Sequence, residues 1–303
     1  MTGRTDFDAD KYRREALENF PFEIQKVHGR DALKEWEKLR LVKGFYPVVI
    51  GGDHELDLLL EPFSPLEDET RRSVEAILET AEKLQHPLSL KEYVNEQEAH
   101  AKKMLETLTR RDDEQVKDGL KKEPQPPVTS PEMTEQLSEK LGADVQAFAL
   151  EEFIASDPID DDYEPEMGRW PWLKPREAGL SVAYDVLSGK PLPSVNIVLI
   201  PTDDWTEAPA YLRWGNWNDN PPPEYHVAAL RSWRDRYGAE LVGLSHDVMN
   251  IRVVNKPGTR DEAVELAREH YAYCSDIVDQ GTGTFAPLAA SLKANKWWYF
   301  WWD

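Results

Sequence analysis

The sequence has few of the features that mark secreted, membrane-spanning or nucleic-acid-binding proteins. Among its 303 residues there is one cysteine, Cys274, so no internal disulfide can form, which is typical of proteins in a reducing cytoplasm. No run of residues approaches the ~20 consecutive apolar residues that a transmembrane helix needs. The first residues also lack the apolar core of a signal peptide. We therefore expect a cytoplasmic protein with no membrane association.

Basic residues are scarce relative to acidic ones. The chain holds 36 Lys and Arg against 57 Asp and Glu, which gives a net charge of -21 at pH 7. Residues 1–168 carry 22 basic and 40 acidic residues, a net charge of -18. Such a surface repels nucleic-acid phosphate and anionic lipid, so no nucleic-acid partner is expected. Two interpretations stay open, a basic protein partner or a solvated surface that maintains solubility.

Tryptophan, by contrast, is abundant and unevenly placed. Ten of the eleven tryptophans lie at or after Trp170, and residues 297–302 are all aromatic. An exposed run of six aromatic residues would leave a large apolar surface in water, so the run must be buried or covered by a partner. The contrast between the halves predicts an acidic N-terminal region at 1–165 and an aromatic-rich C-terminal domain at 166–303.

The first half predicts a small α/β unit followed by helices. Alternation predicts a strand at 22–27, helical spacing a helix at 30–41, and then a buried strand at 47–50. Asp53, His54 and Glu55 follow two glycines and are interpreted as the cap and first turn of another helix. Helical patterns then indicate an exposed hairpin at 66–120 and a short helix at 132–154. A proline-rich linker at 121–131 separates the two, and an acidic break follows at 157–165.

The second half predicts a β-α-β-β-α-β order. Strands are expected at 194–200, 240–244, 248–254 and the aromatic end, with Ser-His-Asp as a hairpin turn at 245–247. Thr259 and Glu262 are expected to form a capping box at the start of the helix that follows the strand at 248–254. The expected fold class is α+β, with a C-terminal ferredoxin-like sheet preceded by the α/β unit and the helical hairpin. In that sheet alternate rings of the aromatic end, at 298, 300 and 302, face the helices.

An ordered series of motifs over residues 180–303 resembles a bacterial family. The motifs are Trp214-Gly-Asn-Trp-Asn218, His226-Val-Ala-Ala-Leu230, Arg236-Tyr-Gly-Ala-Glu240, Ala267-Arg-Glu-His-Tyr-Ala-Tyr-Cys274, Asp276-Ile-Val-Asp-Gln-Gly281 and the closing aromatic run. Together they resemble the family known as domain of unknown function 4253. The resemblance implies a bacterial, cytoplasmic protein and assigns no activity or catalytic residue.

The loop at 203–220 is the most site-like segment, because it mixes aromatic rings with amide side chains. Such a mixture suits a sugar face, a flat ligand or a protein hot spot, unless the rings form the core of the loop. The residues expected to recognise a ligand or partner are Trp205, Tyr211, Trp214, Asn216, Trp217 and Asn218.

Two further groups are weaker candidates. His226 with Asp276 and Asp279 would provide a general base if the fold joined them, whereas the alternative is that the aspartates cap a turn. His270 and Cys274 share one face of a helix, but a zinc site needs a second short-spaced pair, and the alternative is a buried core pair. The glycine turn at 281–283 lacks the lysine of a phosphate loop. No metal and no cofactor are therefore predicted.

These observations favour a non-enzymatic interaction protein, an immunity-type or antitoxin-like neutraliser of a basic partner such as a nuclease toxin. The alternative is an enzyme or small-ligand-binding protein whose site combines Trp214, Trp217, His226, Asp276 and Asp279. A third hypothesis is a scaffold in which the 66–120 hairpin binds a partner helix.

Overall fold

The computed structural model describes residues 9–63, 72–97, 99–100, 102–103 and 164–303. The chain forms two compact units, one of Met1–Tyr93 with Pro165–Asp303 and one of Val94–Glu164. The predicted linker at 121–131, the predicted helix at 132–154, most of the acidic break at 157–165 and part of the predicted hairpin at 66–120 lie outside the described residues. No helix among those described is long and apolar enough to span a membrane.

A six-stranded mixed sheet is the centre of the first unit. In spatial order its strands are β1 (Glu23–Val27), β3 (Val195–Ile200), β2 (Tyr46–Gly51), β4 (Glu240–Leu244), β5 (Val248–Arg252) and β6 (Trp297–Trp301). Neighbouring strands are antiparallel, except that β2 and β4 are parallel. β2 and β3 are buried along their whole length, as expected for strands covered on both faces.

The strand order departs from the expected ferredoxin-like arrangement. β2, from the N-terminal region, lies between β3 and β4, so strands from both sides of residue 165 share one sheet. The α+β class is confirmed, but the ferredoxin-like order is not. That order would place the last strand beside the first C-terminal strand, whereas β6 lies at the sheet edge beside β5. Periodicity identifies a buried strand but does not identify its neighbours.

Helices cover the sheet. They are α1 (Ala9–Asn19), α2 (Gly29–Leu39), α3 (Asp53–Leu59), α4 (Val74–Ala81), α5 (Ala208–Leu212), α6 (Pro223–Tyr237), α7 (Arg260–Tyr273) and α8 (Phe285–Ala294). Local signals set several ends correctly: Thr259 and Glu262 form the capping box of α7, and Gly238 ends α6 in a left-handed conformation. α4 lies within the predicted exposed hairpin, yet its Ile77 and Ala81 pack against Val227 of α6.

The aromatic end forms β6, and its alternate rings are buried as predicted. Trp298, Phe300 and Trp302 are each at most 1% exposed. The indole of Trp233 on α6 stacks on Phe300 with ring centroids 5.2 Å apart. The opposite face of β6 is partly open, since Tyr299 is 38% exposed. Packing against α6 and α7 therefore fixes the end of the chain in the core.

The other face of the central strands is covered by α2 and by residues 180–183. The indole nitrogen of Trp36 on α2 donates a hydrogen bond of 2.9 Å to the carbonyl of Pro47. The side chains of Leu180 and Val182 lie so close to Gly243 that a Cβ there would approach them within 3 Å. The first half of the chain thus provides part of the cover that the C-terminal strands need.

Candidate functional site

Two short loops meet where the parallel strands β2 and β4 end. Gly52 and Asp53 follow β2 and begin α3, while residues 245–247 join β4 to β5 as the predicted hairpin turn. The carboxyl ends of parallel strands are where α/β sheets commonly bind ligands, because the loops there diverge and leave a crevice. A ligand or partner site is therefore expected at this edge of the sheet.

The loop at 203–220, here called the aromatic loop, lies beside this edge and has an unusual backbone. Arg213, Asn216 and Asn218 have φ angles of 52°, 67° and 44°, in the left-handed region that non-glycine residues rarely adopt. Gly215 has a φ of 107°, and a Cβ there would meet the carbonyl oxygen of Pro221 at 2.2 Å. Each such non-glycine residue costs on the order of 1–3 kcal/mol, and these conformations cluster at binding sites.

Trp214 forms the core of the loop. Its side chain is 2% exposed, and its indole nitrogen donates to the carbonyls of Ser245 and His246 at 2.7 and 3.0 Å. The ring also packs against His226 and Trp302, with centroids 4.5 and 5.3 Å apart. This nearly buried ring therefore joins the aromatic loop to the β4–β5 turn and forms part of the core.

Trp217 occupies the surface of the same loop. Its partly exposed ring stacks on His246 with centroids 4.7 Å apart and an interplanar angle of 18°. Asn216 and Asn218 are exposed, and Asn218 Nδ2 donates to the main-chain oxygen of Asp303 at 2.9 Å. These three residues remain available for recognition.

The two other predicted recognition residues pack against the N-terminal region. Trp205 lies against Tyr46, with centroids 6.4 Å apart, and Tyr211 meets the edge of Phe22 at 6.3 Å. Both side chains are partly buried. Their rings therefore connect the two halves of the first unit.

A cavity of about 490 Å³ opens between the aromatic loop, the end of α3 and α4. Apolar side chains of Leu58, Leu59 and Ile77 line it. Its polar lining includes Arg72 and His246. A volume of this size accommodates a small molecule or a partner side chain.

Carboxylates gather around the last residues of the chain. Asp276 Oδ2 accepts a hydrogen bond of 2.9 Å from the backbone nitrogen of Asp303. Asp247 Oδ2 accepts one of 3.1 Å from the indole nitrogen of Trp301. The terminal strand thus brings the β4–β5 turn, the segment after α7 and the last residue to one place.

Two pairs of these carboxylates repel each other. Burial, and then the charge of Asp247, raises the pKa of Glu55 above its ordinary value. Burial and the charge of Asp276 likewise raise the pKa of Asp279, although a hydrogen bond from Tyr271 opposes the shift. We call the group the acidic rim. It consists of Glu55, Asp247, Asp276, Asp279 and Asp303.

His226 does not join this rim. It is fully buried, and its Nδ1 lies 2.6 Å from the hydroxyl of Tyr273. Burial lowers the pKa of His226 to about 3, so the ring is neutral near pH 7. In the described part of the chain, no hydrogen bond links it to Asp276 or Asp279. The ring instead packs against Trp214 in the core of the aromatic loop.

His270 and Cys274 also belong to the core. The ring of His270 packs on Trp298 with centroids 4.6 Å apart, and burial lowers its pKa to about 3. Cys274 Sγ donates to the carbonyl of Trp301 at 2.9 Å, and burial raises the pKa of the thiol to about 12. Among the described residues, no group of three or more His, Cys, Asp or Glu side chains is arranged to hold a metal ion.

Comparison with known protein families identifies the C-terminal part of the chain. Residues 196–303 match the family described as Domain of unknown function (DUF4253). The match covers the C-terminal part of the chain alone. The resemblance seen in the motifs is therefore confirmed. No curated protein and no solved structure matches the chain.

The DUF4253 region contains most of the site. It includes the aromatic loop and every member of the acidic rim except Glu55, which α3 supplies from the N-terminal region. It also lacks β2, the strand that separates β3 from β4. The family region thus depends on the preceding residues to complete both its sheet and its rim.

Sequence reasoning missed Glu55 and Asp247 as site residues. The local predictions were correct, since Glu55 lies in the first turn of α3 and Asp247 in the hairpin turn. The two meet only because β2 and β4 are neighbours. A signal was present, because ionisable residues directly follow an apolar strand in both segments.

Proposed function

We propose that the protein is a non-enzymatic interaction module that binds a basic partner through the acidic rim and Trp217. The observation that carries the proposal is the two carboxylate pairs, Glu55 with Asp247 and Asp279 with Asp276, in which burial and then the charge of the neighbouring carboxylate oppose ionisation of Glu55 and Asp279. Carboxylates kept in such unfavourable surroundings occur preferentially at functional positions. A guanidinium or ammonium group from a partner would relieve the repulsion.

Trp217 supports the same interpretation. An indole face attracts cations, and arginine side chains stack on such rings while donating to carboxylates. The neighbouring Asn218 is tied to Asp303 of the rim by a hydrogen bond of 2.9 Å. An arginine side chain placed over Trp217 would thus have carboxylates beside it.

The net charge of the chain adds a long-range attraction to this contact. At -21, the protein steers basic proteins toward itself at low ionic strength. We propose that it neutralises such a partner, in the manner of an immunity protein or antitoxin. Co-purification from its native host at low and high salt tests this. Recovery of a basic protein only at low salt is expected, and failure to recover a salt-sensitive partner would contradict the proposal.

A peptide titration tests the site directly. A nine-residue peptide of alternating Arg and Gly is titrated by calorimetry into the wild type and into E55Q, D303N and E18Q. Glu18 is an exposed acidic residue of α1 outside the rim, so E18Q controls for the loss of one charge. We expect E55Q and D303N each to weaken binding about fivefold, and E18Q much less.

The salt dependence provides a second criterion. Binding through the rim is expected to weaken steeply between 50 and 200 mM salt, because ion pairs at a partly exposed surface are screened. Equal affinities of the three variants, or an affinity independent of salt, would show that the rim is not the binding surface.

The cavity favours a second candidate function, the binding of a small ligand. Its volume of about 490 Å³ and the left-handed residues Arg213 and Asn216 beside it are typical of ligand sites. A screen of fluorinated aryl fragments by ¹⁹F NMR tests this. W172A is the control, because Trp172 is fully exposed and does not line this cavity. Hits lost in W217A but retained in W172A would support ligand binding in the cavity, whereas hits that are unaffected by W217A would exclude it.

A further inference from the structure

Residues 166–176 are attached to both ends of α8. At its start, the backbone nitrogens of Phe285 and Ala286 donate to the carbonyls of Glu166 and Met167 at 3.1 and 2.7 Å. At its end, Asn295 Nδ2 donates to the carbonyls of residues 175 and 176 at 3.2 and 3.1 Å. We call residues 168–174 between these attachments the strap. These hydrogen bonds hold the strap along α8, and none of them involves a side chain of the strap.

The strap holds a tryptophan out in solvent. Trp172 is fully exposed and the adjacent Leu173 is 84% exposed. A large ring with no internal packing contributes nothing to the folded core, and exposed apolar side chains grouped in a fixed segment mark binding surfaces. The other tryptophan of the strap, Trp170, is partly buried. The guanidinium carbon of Arg260 lies over its ring, 4.6 Å from the ring centroid.

A second cavity, of about 340 Å³, lies between the strap, the start of α7 and the end of α8. Trp170 and Trp172 line it, and its charged lining residues are Lys174, Arg260 and Lys293. All three are cations, although the whole chain has a net charge of -21.

The three charges are not neutralised by the described protein. The ammonium group of Lys293 donates to the backbone carbonyls of Pro257 and Gly258, which carry no net charge. Within the described ranges, no carboxylate forms an ion pair with Lys174, Arg260 or Lys293. Arg260 is moreover the first residue of α7, where the helix dipole disfavours a cation.

We propose that the strap, Arg260 and Lys293 form a binding site for a small aromatic anion. Its ring would stack against Trp172, and its carboxylate would contact the guanidinium of Arg260 and the ammonium groups of the two lysines. A cavity of about 340 Å³ has room for a ligand of one or two fused rings. This site is distinct from the acidic rim in both its residues and the charge of its ligand.

The test uses 2-naphthoate as the probe and the uncharged 2-naphthamide as its matched control, both titrated into the full-length protein by calorimetry. We expect 2-naphthoate to bind at least tenfold more tightly than the amide, because only the anion is paired with the cations. W172A and R260Q are each expected to weaken 2-naphthoate binding about tenfold. K190Q removes an exposed cation that lies outside the strap and does not line the cavity, and it should leave the affinity unchanged.

Since Trp172 is fully exposed, W172A is expected to retain the wild-type melting temperature, so lost binding will not reflect unfolding. Equal binding of the acid and the amide would overturn the proposal. So would 2-naphthoate binding that W172A and R260Q leave unchanged, or binding of an acidic peptide by a protein that does not bind 2-naphthoate.

Discussion

The aromatic loop carries three tryptophans and the strap carries two, yet Trp214 of the loop and Trp172 of the strap have opposite environments. Trp214 of the loop is 2% exposed and bonded to two carbonyls, whereas Trp172 of the strap is fully exposed. The first segment is bonded to Asp303 of the acidic rim, whereas the charged residues that line the cavity under the second are all cations. Aromatic content alone therefore does not locate a binding surface; the contacts of each ring decide its role.

The largest expected effect separates the two segments by stability. W214A removes a buried ring and leaves a cavity against His226 and Trp302, so we expect the free energy of unfolding to fall by about 3–5 kcal/mol. W172A should change it by less than about 0.5 kcal/mol. Urea denaturation followed by circular dichroism measures both. Equal losses in the two variants would contradict the assignment of Trp214 to the core.

A second prediction contrasts a structural carboxylate with the rim. Burial raises the pKa of Glu269, but hydrogen bonds from His86 and Arg236 outweigh it and lower the pKa to about 2. E269Q should therefore lower the free energy of unfolding at pH 7 by about 3 kcal/mol. Because the native pKa is depressed, this contribution is present above pH 4.5 and is lost as the pH falls toward 2. Denaturation of wild type and variant from pH 7 to pH 3 checks the trend, and a constant difference would contradict it.

The rim predicts the opposite sign for Glu55. Its native pKa is raised, so the folded state binds more protons and ionisation destabilises the fold as the pH rises through the native pKa. E55Q should thus stabilise the protein at pH 7, by less than about 1 kcal/mol because Glu55 is only partly buried. The gain should vanish below pH 4, where both states are protonated. Melting temperatures at pH 4 and pH 7 measure this, with E18Q as the control, and a loss of stability at pH 7 would show that Glu55 is a structural residue.

The smallest effect concerns the end of the chain. Asn218 bonds to the main-chain oxygen of Asp303, and N218A removes that exposed contact. We expect a loss of at most about 1 kcal/mol, because the buried rings of β6 carry most of the attachment. Amide hydrogen exchange at residues 301–303 should quicken in N218A while that of 298–300 stays unchanged. Faster exchange along the whole of β6 would show that the terminal contacts, and not the core rings, fix the strand.

Local sequence signals predicted much of the fold. Alternation in the aromatic run identified Trp298, Phe300 and Trp302 as the buried face, and cap residues placed the ends of α6 and α7. The position of β2 between β3 and β4 was not predictable from these signals, because a fully apolar strand fits any central position. The meeting of Glu55 with Asp247 and the exposure of Trp172 depend on such long-range packing, so sequence reasoning missed both.

One titration compares the two surfaces most directly. Tryptophans are replaced by 5-fluorotryptophan, and the ¹⁹F resonances of Trp172 and Trp217 are assigned from W172F and W217F. We expect the Arg-Gly peptide to shift the Trp217 resonance and to leave that of Trp172 unchanged, and 2-naphthoate to do the reverse. Movement of both resonances with both ligands, or of neither with the peptide, would contradict the claim that the acidic rim and Trp217 form a specific surface for a basic partner.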